Sequence, residues 1–478
     1  MLRMIPSARQ LIDGEWISAR NKGELAVVDP ATQEPIQTVA RAEAVDVEDA
    51  VAAARRAFPE WAATSPTERG RVLRRWADLV LSSLDELAAI EARDVGKPLS
   101  GGRANVLRAH AIIEYNAGAA DKLTGVTLPA RTPDYLGYTV PEPYGVCAAI
   151  LPWNVPSVLT AANVAPALAA GNTVVLKPSE VAPLAPLALA ELARRAGFPP
   201  GVFNVVVGLG PEAGAALTGH RDVKHVSFVG STATGRAIMA SAARNLTPVK
   251  LELGGKSPNV LFADADLDVA LPAIVGSITE NAGQNCYAGS RLVVEDSIHD
   301  EVVERVAAAM QAVRLGAWDA DLDMGPLVSA AQYDRVRGFL DQPGARLVTG
   351  GAPTGEGWFV QPTVYDQVDS SMRIAREEVF GPVLAVQKFT GTDRALQLMN
   401  DVDFGLLACI WTNDISRALR LAKGVHSGQV AVNQFHNTGV IGFPFNMQKD
   451  SGFSRGGGYA ALREYTQEKA VSVRLLEH

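Results

Sequence analysis

Hydrophobic positions along the chain change their period from region to region. Ser65-Pro66-Thr67-Glu68 offers an N-cap, a proline at the first helical position and a glutamate at the third, so a helix is predicted to start there. Val72, Trp76, Leu79, Val80, Leu84 and Leu87 then keep the 3.6-residue spacing of one apolar helical face. Leu11 to Trp16 reads as a short strand, and the rest of the first 125 residues as mainly helical. Thr127 to Tyr144 places Pro129, Pro133, Pro141 and Pro143 around Tyr135-Leu136-Gly137-Tyr138, the pattern of an exposed β-ribbon. From Val146 the chain alternates regularly. Apolar strands are predicted over 146–151, 173–176, 203–207, 225–229 and 248–252, with helices near 157–169, 185–196, 211–218 and 233–243. Strands and helices in this order imply parallel βαβ units and an open α/β sheet. A second alternating region runs from about Leu253 to Phe445, and Ala470 to Leu475 alternates like a last strand.

Composition narrows the class without naming it. The 478 residues allow two to four domains, and 47% hydrophobic with 20% charged residues is ordinary globular usage. The net charge of −8, with no run of Lys or Arg, argues against nucleic acid. Three scattered cysteines, Cys147, Cys286 and Cys409, make neither a disulfide framework nor a zinc site, so no metal and a reducing, cytoplasmic setting are expected. Between Glu142 and Lys177 no charge occurs, yet Pro152, Pro156 and Pro166 would break any spanning helix. No membrane segment and no signal peptide is predicted.

Several short motifs then carry chemistry. Gly230-Ser231-Thr232-Ala233-Thr234-Gly235 lies between a strand and a helix, where glycines and free N–H groups suit a pyrophosphate; a plain tight turn is the alternative. Lys177-Pro178-Ser179-Glu180 follows a strand end, where ligands of open sheets bind, although solvated loop charges would look the same. Cys286 sits among Gly283, Gln284, Asn285, Ala288, Gly289 and Ser290, a small and polar neighbourhood, whereas Cys147 and Cys409 sit in apolar runs and read as structural. Glu252 ends an apolar strand before a glycine pair and is a candidate base, or else the partner of Lys250 or Lys256. Asn154, in Pro152-Trp153-Asn154-Val155-Pro156, offers an amide N–H suited to a developing oxyanion, or is a turn residue.

Together these elements resemble the aldehyde dehydrogenase superfamily, nearly end to end. Pro-Trp-Asn, Lys-Pro-Ser-Glu, Gly-Ser-x3-Gly, Leu-Glu-Leu-Gly-Gly-Lys-Ser, Gly-Gln-x-Cys and Glu-Glu-Val-Phe-Gly-Pro occur in the family's order, with Glu252 and Cys286 34 residues apart. The resemblance implies an α/β fold: a Rossmann-type cofactor domain over 1–124 and 145–252, an α/β catalytic domain over 253–445, and a small β oligomerisation ribbon over 125–144 and 464–478. It implies Cys286 as the nucleophile, Asn154 with the Cys286 backbone N–H as oxyanion donors, and Glu252 as the base that hydrolyses a thioester to the acid. Lys177, Ser179 and Glu180 would hold the adenosine ribose; Gly230, Ser231 and Gly235 the pyrophosphate; Trp153, Leu253, Glu378 and Phe380 the nicotinamide end. Glu180 favours NAD, with NADP possible through Lys177. A homo-oligomer, dimer or tetramer, is implied, with an aldehyde as the only other partner.

The resemblance also sets a pocket and its departures. Val155, Val158, Leu159, Glu280, Asn285, Tyr287, Phe435 and His436 would line the substrate pocket, and Asn433 would lie near its entrance. No added arginine stands beside Cys286 or within 434–443, so a neutral aromatic or medium-chain aldehyde is expected. Where the family commonly reads Pro-Phe-Gly-Gly-x-Lys-x-Ser-Gly-x-Gly-Arg-Glu, this chain has Asn446 and Met447 for the glycine pair, Ser454 for a glycine and Gly456 for the glutamate. The rival readings are a CoA-acylating relative, against which Glu252 counts, and a non-catalytic relative serving as a binding or structural protein.

Overall fold

The apolar runs from Val146 onward form five parallel strands, Val146–Ile150, Thr173–Lys177, Phe203–Val205, Val223–Val229 and Val249–Glu252. Counted from the N-terminus they stand in the order 3-2-1-4-5, extended by antiparallel strands at both edges to eight in all. The computed structural model describes residues 4–355, 357–436 and 440–476. Helices Pro156–Ala169, Leu184–Ala196 and Thr232–Ala243 connect the strands, as their spacing predicts. The uncharged stretch after Glu142 is therefore strand, helix and strand of a core, and no described helix is long and apolar enough to cross a membrane.

A second sheet of seven strands follows, in the order Arg346–Thr349, Thr363–Asp366, Val383–Phe389, Arg291–Glu295, Pro258–Leu261, Leu407–Trp411, Gln429–Val432. All its pairings are parallel except that of the first strand. The third sheet is the ribbon: Tyr135–Pro143 pairs along its length with Thr466–Arg474, and Thr127–Leu128 adds a short strand. Residues 477–478 of the expected ribbon lie outside the described residues. Residues 446–463, given to no domain in advance, tie the sheets together. Gly452–Phe453 joins the edge of the first sheet at Leu251 and Glu252, while Gln448–Lys449 pairs with Phe404–Gly405.

Four local expectations need correction. The strand expected at Leu11 to Trp16 is present as the hairpin Gln10–Ile12 and Glu15–Ile17, but two further strands, Glu24–Val28 and Pro35–Ala40, stand where helix is expected, with the Asp29-Pro30 turn as the overlooked signal. The helix from Pro66 stops at Ser82, and Leu84 and Leu87 belong to a separate helix, Leu84–Val95. There Ser82 Oγ donates to the Leu79 carbonyl at 3.0 Å, a side chain competing with the helical ladder. Ser65 does cap the Glu68 N–H, but the Glu68 carboxylate takes Arg71 instead of completing the box. The stretch near 211–218 begins as a π-turn, Gly210–Gly214, and only Ala215–Thr218 is α-helical.

Candidate active site

Two loops leave the first sheet side by side. Asn154 lies in the turn after Val146–Ile150, and Gly230 and Ser231 follow Val223–Val229; these strands flank the reversal in strand order, where open α/β sheets leave a crevice. Ser231 caps its helix, the hydroxyl accepting from the Thr234 N–H at 3.3 Å. Glu252 ends the next strand, and Leu253-Gly254-Gly255 carries the chain across to the second sheet. A Cβ on Gly255 would stand 2.1 Å from the Cys286 carbonyl oxygen, and one on Gly254 2.6 Å from Glu378 Oε2. The glycine pair thus lets a turn lie directly against both residues.

Cys286 arrives on a loop with three successive positive φ angles, Asn281 at 52°, Ala282 at 53° and Gly283 at 71°. Two of these are side-chain-bearing residues in a costly conformation, so the surroundings must hold the loop. Asn281 Nδ2 donates to the Asn154 carbonyl at 3.0 Å, and Gln284 Oε1 accepts from the Val328 N–H at 3.0 Å. The Asn154 side chain closes the arrangement by donating from Nδ2 to the Gln284 carbonyl at 2.9 Å. Its Oδ1 has no partner among the described residues.

One cavity of about 400 Å³ gathers most of the expected residues. Cys286, Glu252 and Asn154 line it, with Gly230, Ser231 and Leu253 on one side and Trp153, Glu378 and Phe380 on another. The Trp153 and Phe380 rings meet edge to face at 5.3 Å. Val155, Val158, Leu159, Tyr287 and His436 form part of the remaining wall. Lys177, Ser179, Glu180 and Gly235 are not in the wall, nor are Glu280, Asn285 and Phe435. Asn285 is buried, and Phe435 packs 6.0 Å from the Tyr287 ring. Asn433 bonds Thr412 through both ends of its amide, a backbone staple outside the wall. Residues 437–439 of the entrance loop lie outside the described residues.

The charges differ from simple expectation. Glu252 is paired with Lys250, 2.7 Å from its Nζ, as the ion-pair reading has it, and it lines the cavity as well. Lys177 is no solvated loop charge; it is buried and 3.0 Å from Glu180. Burial pushes the Cys286 thiol up, and the Glu378 and Glu252 carboxylates push it further. The resting sulfur is therefore a thiol, which needs a base to take its proton before it attacks. Burial also raises Glu378 to about 7, although the Gly255 N–H bonds its Oε1 at 2.9 Å. Cys147 and Cys409 are buried, and burial pushes both thiols up, as for structural cysteines.

Comparison with known proteins identifies this arrangement. The sequence profile described as "Aldehyde dehydrogenase family" matches residues 16–471. The chain belongs to that family. It is 40% identical over 471 residues to the betaine aldehyde dehydrogenase of Bacillus subtilis (strain 168), covering 96% of each chain. The crystal structure of a putative aldehyde dehydrogenase from Burkholderia cenocepacia superposes with a TM-score of 0.95 at 46% identity, over 98% of this chain and 100% of that one. An aldehyde dehydrogenase from Bacillus cereus, solved as an NAD+ complex, gives 0.97 at 39% identity, over 98% and 97%. The expected fold class and enzyme class are thereby established for this family member.

Some of the residues around the site could not be read from the sequence. Gln332 Nε2 donates to the Phe380 carbonyl at 2.7 Å and Arg335 to the Glu378 carbonyl at 2.5 Å, both from helix Ala330–Arg337. A buried pair, Lys97 and Glu91 at 3.1 Å, braces the Asn154 turn: Lys97 donates to the Asn154 carbonyl at 2.9 Å, and Glu91 accepts from the Ser157 N–H at 3.1 Å. Arg108, from helix Leu99–Ala119, reaches the cavity wall. No added arginine stands beside Cys286 or within 434–443, as expected, but this helix brings one into the cavity from elsewhere, so the ground for expecting a neutral substrate falls away. Of the atypical C-terminal positions Gly456 lines the wall, while Asn446, Met447 and Ser454 do not. Phe445, Gly456, Gly457 and Gly458 all line it, and the Phe445 N–H bonds the Gly456 carbonyl at 2.6 Å.

Proposed function

We propose that this aldehyde dehydrogenase family member oxidises an aldehyde to the carboxylic acid with NAD+, through a covalent adduct on Cys286. What carries the reading is one cavity walled at once by Cys286, Glu252, Asn154 and Glu378. The Cys286 sulfur bonds to the aldehyde carbon as its proton leaves to a base. Charge developing on the carbonyl oxygen meets Asn154 Nδ2, whose second hydrogen is not used by Gln284, and the Cys286 backbone N–H. A donor of this kind is worth about 3–4 kcal/mol.

The residues fit a dinucleotide. Gly254 leaves open the space over Glu378 Oε2, so a half-buried carboxylate keeps an acceptor for ribose hydroxyls. The Ser231 helix N-terminus suits a pyrophosphate. Lys177 and Glu180 would hold the far ribose, and because Lys177 is committed to Glu180 at 3.0 Å, NAD is favoured over its 2′-phosphorylated form. When bound, NAD+ supplies the acceptor for the hydride leaving the adduct. Glu252 then takes a proton from water, whose oxygen bonds to the thioester carbon; the C–S bond breaks and the acid departs.

Two variants test the division of labour. Cys286→Ala is expected to abolish NADH formation with every aldehyde. Glu252→Gln is expected to keep a single burst of NADH while steady turnover falls about 10²- to 10⁴-fold. Product analysis with coenzyme A present should give the free acid, and acyl-CoA instead would favour the acylating rival. NADH production by Cys286→Ala would sink the proposal outright.

A further inference from the structure

The substrate end of the cavity holds polar groups that the chemistry at Cys286 does not use. His436 is 2% exposed, lines the cavity, and neither ring nitrogen has a hydrogen-bond partner among the described residues. Its ring stacks on Tyr287 at 4.4 Å, and Tyr287 directly follows the nucleophile in the chain. Arg108 lines the same cavity and, among the described residues, has no ion-pair partner within 4 Å. Its charge is felt nearby: burial lowers His436 to about 4, with Arg108 as the second cause. His436 is therefore neutral near pH 7, a donor of one N–H rather than a second cation. Glu280 senses the guanidinium too, since burial raises its carboxyl while Lys97 and Arg108 draw it back, but it is not within ion-pair reach.

A cation without a close counter-ion, beside an unused buried imidazole in a mostly apolar pocket, is an unfinished anion site. Buried polar groups left unpaired are costly, and a guanidinium fork matches a carboxylate in two parallel hydrogen bonds. Of the cations lining the cavity, Lys250 is paired with Glu252 and Arg335 donates to the Glu378 carbonyl, which leaves the single charge of Arg108, better suited to a monoanion than to a phosphate. Ile112, Val158, Leu159 and Phe443 supply apolar wall in the same cavity. We infer that Arg108, His436 and Tyr287 form a tail subsite, and that the preferred substrate is an aldehyde bearing one carboxylate a short chain or a single ring away. This rests on the aldehyde-oxidising reading above and specifies its substrate class.

The test compares matched pairs with the intact enzyme and NAD+: 4-carboxybenzaldehyde against benzaldehyde, and succinic semialdehyde against butanal. In the wild type the carboxylated member of at least one pair should have the higher kcat/KM, by about 10- to 100-fold, the range of one or two charged hydrogen bonds. Arg108→Leu should collapse that ratio through KM, and Arg108→Lys, which keeps the charge and loses the fork, should fall between. If Arg108→Leu does not fold, the wild-type ratio and the lysine variant still decide. Neutral aldehydes preferred in both pairs, or a carboxylate preference that survives Arg108→Leu, would overturn the subsite while leaving the aldehyde-oxidising reading standing. No NADH from any of the four would overturn both.

Discussion

Lys250 and Glu252 stand two residues apart on one strand, so their side chains leave the same face and meet at 2.7 Å. Lys250 is almost fully buried; burial works to lower its pKa, but the Glu252 charge and hydrogen bond, with Tyr465 and Glu464, together outweigh it and hold the ammonium up. Asn163 Oδ1 accepts from Lys250 at 2.8 Å and from Ser227 Oγ at 2.7 Å, which fixes the amine. On the other side of Glu252, Gly456 stands where the family pattern has a glutamate, and a Cβ there would lie 3.3 Å from Glu252 Oε1. Glu252 therefore has a cation on one flank and no side chain on the other. Removing one member of a buried pair costs about 3–5 kcal/mol, because the remaining charge is stranded. Lys250→Met should lose stability on that scale, whereas Lys250→Met in a Glu252→Gln background should lose clearly less. Denaturant unfolding of the four proteins of the cycle measures the coupling, and strictly additive losses would show that the pair is not a unit.

The turn Leu253-Gly254-Gly255 is the element on which the site depends most. Its two glycines face different constraints: Gly255 lies against a backbone carbonyl, Gly254 against the end of the Glu378 side chain. Gly255→Ala must push the Cys286 loop aside, so it is expected to lower the melting temperature by several degrees and remove nearly all turnover. Gly254→Ala meets only a carboxylate that can swing away, and should fold normally while the KM for NAD+ rises several-fold. Thermal melts beside NAD+ titrations separate the two, and equal losses in both variants would refute the division. The same element shows what the sequence could tell. A strand ending in Glu252 before two glycines is a local pattern, and the parallel strands around it are local hydrophobic runs, so both were legible. Gln332, Arg335 and Arg108 reach the site from helices elsewhere in the chain, and Lys97 from the Gly96-Lys97-Pro98 connection between two helices; each looks like any solvated polar residue. No local signal marks them; only the folded arrangement of helices Leu99–Ala119 and Ala330–Arg337 does.

At the scale of the whole molecule, the ribbon is the part that the chain leaves unfinished. Strand Thr466–Arg474 pairs with Tyr135–Pro143 on one side and is the outer strand of its three-stranded sheet. Its other edge presents unpaired N–H and C=O groups over nine residues, and exposed strand edges invite pairing with another chain. Apolar side chains of the ribbon and the residues that follow it are exposed too: Leu128, Tyr135, Leu136, Val473, Leu475 and Leu476. Soluble monomers rarely leave such a patch uncovered, so a second copy of the chain is the expected cover. Light scattering on the purified protein should then give two or four times the chain mass. Val473→Lys, Leu475→Lys and Leu476→Lys together place charge on the patch at positions that are exposed within one chain, where substitutions alter stability by only about 0.5 kcal/mol each. The triple variant should run at a smaller assembly size with its melting curve displaced only by the lost contact. An unchanged mass would place the association on another surface, and a monomeric wild type would remove it altogether.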